Sequence, residues 1–133
     1  MEEFNETKEK MVATCMGNNI EDVGNIFRKM RPIFNFIRVN GPNDRTTVYT
    51  SEFCFGRNPS WHRFDINMQT LCNNDYYCKI VVEVYDYRKN GNHKYIGEGT
   101  FTIHDVINLH RKNIKLKNPV KNKKKDYLDS GSF

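Results

Sequence analysis

The residues most able to do chemistry lie in the stretch VYDYRKNGNHKYIGEG, residues 84–99. An apolar strand pattern runs into Asp86, a polar loop with a central glycine follows, and the chain returns to a strand at YIGEG. A carboxylate at the lip of a strand-to-strand loop is hard-cation chemistry, because Ca²⁺ takes several anionic oxygens. After Asp86, however, the loop supplies Arg88, Lys89, His93 and Lys94. The arginine and the two lysines repel a cation instead of ligating it.

Other reactive side chains are scattered. His62, His93, His104 and His110 share no ligand spacing with each other or with Cys15, Cys54, Cys72 and Cys78. No C-x-x-C pair, H-E-x-x-H motif or glycine-rich phosphate loop occurs. Ser51 and Ser60 have no base nearby in sequence, and His62 beside Trp61 reads as packing at a strand edge. The cysteines read as reduced structural thiols, with Cys15 and Cys54 buried in strand-like runs. Catalysis is not expected.

Charge sharpens the question of partners. The net charge is +5, and Lys117, Lys121, Lys123, Lys124 and Lys125 carry five positive charges with no acid among them. The rest of the chain is therefore neutral overall. Local basicity points to a patch facing an anionic partner, and away from a nucleic-acid binder. A hydrophobic share of 38% in 133 residues suits one domain with one core. No apolar run reaches the roughly 20 residues of a membrane helix. The opening MEEFNETKEK is acidic and polar, unlike a signal peptide, and residues 1–10 are read as a disordered lead before a domain at 11–133.

The elements that must position these groups are short strands between turns. Strand patterns occur at MVATCMG, IFNFIRVN, TTVYTSEF, WHRFDIN, KIVVEVYDY, YIGEGTFTI, NIKLKN and DYLDSGSF. In KIVVEVYDY, Ile80, Val82 and Val84 share one face, and Val81, Glu83 and Tyr85 the other. A short helix is expected near 103–109, capped by Thr102 with Asp105 at capping-box spacing. The pattern predicts an all-β antiparallel sandwich.

NPSWHRF (Asn58, Pro59, Trp61, Phe64) and VEVYDY followed by YIGE resemble, in order and spacing, the C2 domain signature. TLCNND, NGNH and KNKKKDYLDSG narrow the resemblance to the second C2 domain of copines. The resemblance implies an eight-stranded C2 β-sandwich of type II topology, with Trp61 in the core and a last strand cut short at Phe133. It also implies a fragment of a longer protein that continues into a von Willebrand A-like domain, itself a possible docking partner.

C2 domains of the calcium-binding kind place five acidic ligands on two loops. The matching positions here are Asn25, Arg31, Asp86, Arg88 and Lys94, so one carboxylate survives. Asp22 and Asp75 stand in only if the loops are aligned differently. No metal is expected, and Asp86 is expected to accept loop amides or pair with Arg88 or Arg31. The resemblance then implies a peripheral, cytoplasmic membrane-targeting module whose fixed positive charge meets anionic phospholipid. Its expected lipid-binding residues are Phe27, Arg28, Lys29, Met30, Arg31, Arg88, Lys89 and Lys94, with Phe27 and Met30 inserting apolar atoms. Lys121, Lys123, Lys124 and Lys125 form a secondary basic patch. The alternatives are a protein-interaction module without lipid activity and a residual calcium-dependent phospholipid binder.

Overall fold

The structure, a computed structural model, describes residues 9–23, 28–109, 113–121 and 129–133. In chain order the elements are β1 (Lys10–Ala13), β2 (Pro32–Gly41), β3 (Asp44–Thr50), β4 (Phe64–Asn67), α1 (Met68–Cys72), β5 (Ile80–Asp86), β6 (Lys94–Phe101) and α2 (Ile103–Leu109). One sheet runs β3-β2-β5-β6 and the other pairs β1 with β4. Every pairing is antiparallel.

Two further segments complete the second layer. Ile114 and Phe133 exchange backbone hydrogen bonds, as do Asn18 and Ser132. Leu116 donates to Gly131, and Ser130 to Leu116. Residues 113–117 therefore lie between 129–133 and β6, which they meet at the Glu98–Lys117 bridge. Gly99 permits that close approach: a Cβ there would sit 2.2 Å from Ile114 Cγ2.

β2 and β5 are strands because β-branched and aromatic residues alternate across a half-buried surface. Phe34 and Phe36 of β2 and Ile80, Val82 and Val84 of β5 point into the space between the layers. Phe34 is the hub, with the rings of Phe36, Trp61 and Phe133 at 4.8–4.9 Å. Tyr49 of β3 stacks on Phe64 of β4 at 3.8 Å and ties the two sheets together. Trp61 is buried as expected, and its indole N–H donates to the Pro32 carbonyl.

Two expectations are corrected. A second helix, α1, occupies part of TLCNND: the Asn67 side chain caps it by accepting from the Gln69 amide, and Asn73 ends it in a left-handed conformation. β1 begins at Lys10, which pairs with Asn67, so the ordered domain starts before residue 11. The helix expected near 103–109 is α2, with Thr102 Oγ1 accepting from the Asp105 amide.

The register gathers three loops at one end of the sandwich. β2 begins at Pro32 opposite Asp86, where β5 ends, and Asp86 in turn faces Lys94, where β6 begins. β3 ends beside Asn35 of β2. The loops after β1, β3 and β5 therefore emerge together, and this end is the tip.

Candidate functional site

Asp86 closes β5 at the base of the tip and is 0% exposed. Its Oδ1 accepts the backbone N–H of Arg31 at 2.8 Å. Its Oδ2 accepts Arg88 Nε, with the second guanidinium nitrogen also at 3.1 Å. Arg28 approaches Oδ1 at 3.8 Å and donates to the Tyr87 carbonyl. Tyr87 returns a backbone bond to the Arg31 carbonyl. A buried carboxylate is tolerated only when paired and hydrogen-bonded, and N–H donors here meet both oxygens. Arg88 was an expected partner, whereas Arg31 contributes its amide and Arg28 was not foreseen in this role.

The Arg31 guanidinium goes elsewhere, to 5.5 Å from the Phe53 ring centroid and 5.6 Å from that of Tyr87. Lys29 Nζ lies 5.8 Å from the Phe55 ring. Lys29, Lys89 and Lys94 are exposed around this core. Arg88's amide donates to His93 Nδ1 at 2.9 Å, which fixes the ring under Tyr87. The tip cations thus divide into two that neutralise Asp86 and others that face outward.

Met30 is corrected. Expected to insert apolar atoms, it is 2% exposed and packs in the core. Its Sδ accepts the Val23 amide, and its carbonyl accepts the Gly56 amide. It anchors the first loop. Phe27 and Asn25 lie outside the described residues, as do Lys123, Lys124 and Lys125. Lys121 is described, and it pairs with Glu21 rather than standing alone as part of a basic patch. Asp75 is at the opposite end, where it caps the turn before β5 by accepting the Tyr77 amide. His62 is exposed beside Glu52 instead of packed at a strand edge.

Phe53 and Phe55 are functional candidates that the sequence reading missed, 39% and 59% exposed at the tip. The signal was present: SEFCF sets two phenylalanines two residues apart directly before Gly56. Gly56 turns the chain at φ +92°, a backbone region that favours glycine. Between the two rings, burial and then Glu52 raise the Cys54 thiol's pKa, which disfavours the reactive thiolate. Among the described residues no three His, Cys, Asp or Glu side chains gather as a metal site.

This architecture is a C2 β-sandwich. The structure BON1-C2B superimposes with a TM-score of 0.77 at 20% identity, covering 96% of this chain and 88% of its own. The first C2 domain, labelled A, of plant Extended Synaptotagmin 1 gives 0.62 at 11% identity, covering 92% and 86%. No known protein-family profile matches the sequence. Among the described residues no helix is long and apolar enough to cross a membrane.

Proposed function

We propose that this chain is a non-catalytic C2 module, of copine type, that targets anionic phospholipid at the cytoplasmic face of a membrane without calcium. The observation that carries the reading is the state of Asp86. Its oxygens are engaged by Arg88, Arg28 and the Arg31 amide. A divalent ion would have to displace two guanidinium groups to reach one carboxylate, with Lys94 directly across the strand pair. Ca²⁺ asks for six to eight oxygens, several of them anionic, so the donor set does not fit the ion. In the proposed reading, Lys29, Arg31, Lys89 and Lys94 supply permanently the positive tip that a bound metal would create. Each basic residue close to an anionic membrane is worth about 1 kcal/mol.

The test is co-sedimentation with phosphatidylserine-containing vesicles in EGTA and in millimolar Ca²⁺. Equal binding in both, weakening as salt rises, is expected. Binding that requires Ca²⁺ would overturn the metal-free mechanism. Binding in neither condition would overturn the lipid reading and favour a protein-docking role, including docking to a von Willebrand A-like domain.

A further inference from the structure

Two glutamates face each other on the outer side of the four-stranded sheet with no cation between them. Glu83 of β5 stands opposite Glu98 of β6. The Glu98 amide and carbonyl both bond outward, to Lys117. The Glu83–Glu98 pair is therefore of the non-hydrogen-bonded kind, whose Cβ atoms lie about 4.5 Å apart. Among the described residues no ion pair reaches either carboxylate. Two tyrosines flank them. A register shift after Val84 sets Tyr95 opposite Tyr85, and so on the same side of the sheet as Glu98 three residues away. The two rings meet edge to face at 5.5 Å. Tyr85 donates to Glu83 Oε1 and Tyr95 to Glu98 Oε1, which leaves Oε2 of each carboxylate without a donor among the described residues. Ile33, Ile37 and Val81 share this face but are at most 7% exposed, whereas the glutamates and tyrosines are half-buried. The face thus offers a partner carboxylate and ring, not apolar surface.

We propose that this face docks an arginine side chain carried by a protein partner, its guanidinium lying between Glu83 and Glu98 and against the Tyr85 and Tyr95 rings. Charge complementarity sets the class of partner. Like charges directly opposite weaken a strand pair, and a cation placed between them turns that repulsion into attraction on both sides. A guanidinium suits the site better than an ammonium. Its planar fork donates in several directions at once, and its flat face packs on aromatic rings. The phenols hold both carboxylates before the partner arrives, so less freedom is lost on binding. A carboxylate accepts about four hydrogen bonds, so one bond from a phenol leaves acceptor sites open. An anionic partner is repelled here. None of these groups belongs to the tip loops, so the site is independent of the lipid reading.

The experiment follows, by fluorescence anisotropy on the whole chain, a labelled short glycine-serine peptide carrying two arginines and its counterpart carrying two lysines. Wild type is expected to bind the arginine peptide more tightly than the lysine one. Glu83→Gln/Glu98→Gln should bind the arginine peptide about tenfold more weakly or worse, while melting no lower than wild type because the facing charges are gone. Asp44→Asn/Asp65→Asn removes the same charge from two exposed positions elsewhere and should bind as wild type does. Thermal melts establish that each variant folds, and Glu98→Gln alone, which keeps an acceptor for Tyr95, substitutes if the double glutamine variant does not. No wild-type binding, or undiminished binding by the folded glutamine variant, overturns the inference. An equal loss in the two double variants also overturns it, because net charge alone would then account for binding. Equal affinity for the two peptides overturns the assignment to arginine.

Discussion

Two carboxylate sites three residues apart on β5 solve opposite problems. Asp86, at the tip, is buried and met by two guanidinium groups and an amide. Glu83, on the outer face of the same sheet, stands directly opposite Glu98 of β6. The Glu83 carboxylate accepts from the Tyr85 hydroxyl, and Tyr95 donates to Glu98 at 2.7 Å. Cations therefore cancel one carboxylate, while neutral phenols solvate the others. Like charges directly opposite across a strand pair destabilise it. Charge inside the tip is consumed to build the loops, and charge on the sheet face is tolerated at the surface. Proximity to an acid is thus a poor guide to which arginine meets a ligand.

The contrast breaks most directly at Asp86. Asp86→Ala should cost about 3 kcal/mol, at the low end for removing one partner of a buried pair, because Arg28 and Arg88 are 20% and 30% exposed and can rehydrate. Chemical denaturation measures this, and a loss below about 1 kcal/mol would mean that the carboxylate holds nothing together. Arg88→Ala should cost less, about 1–2 kcal/mol, since the Arg31 amide and Arg28 remain on Asp86. A loss equal to that of Asp86→Ala would show that Arg28 contributes no compensation.

Glu98→Gln on the sheet face should go the other way, raising stability by about 0.2–1 kcal/mol, because the amide oxygen still accepts from Tyr95 while the facing charge disappears. Destabilisation in the same denaturant assay would contradict the like-charge argument. Stability should also respond to pH. Burial, then Glu83, pushes the Tyr85 hydroxyl from 10 up to about 12. Burial, then the Glu98 hydrogen bond, moves Tyr95 in the same direction. A group whose folded pKa is raised stabilises fully below its unfolded value and loses that contribution as pH rises through the folded value. Stability should therefore decline from about pH 10 towards pH 12, with phenolate absorbance from these two residues appearing late. Glu98→Gln should bring that absorbance forward.

Local pattern carried much of the fold. The two faces of β5 and the Thr102 cap follow from alternation and capping chemistry that act over a few positions. α1 escaped because five residues hold too little periodicity to register, and its signals are two asparagines at its ends. At the tip, Asp86 was legible as a lone carboxylate among cations, and Arg88 as its partner. Which cations turn inward was not legible, because Arg28 and Asp86 meet only after β2 and β5 pair. The burial of Met30 and the exposure of Phe53 escape a local reading for the same reason. Both are apolar residues near a turn, and only the long-range bonds from Gly56 to Met30 and from Cys54 to Pro32 decide which is covered.

Trp61 has a consequence for how the molecule can be watched. It is the single tryptophan, 3% exposed, edge-on to Phe34 and bonded to Pro32 at the root of the tip. An indole so enclosed emits from a dry environment, and its spectrum should redden only when the two layers separate. Anything that docks on the outer rings will leave that emission unchanged. The protein's intrinsic light reports unfolding faithfully and is blind to contact at the tip, so such contact must be read with a fluorophore placed there.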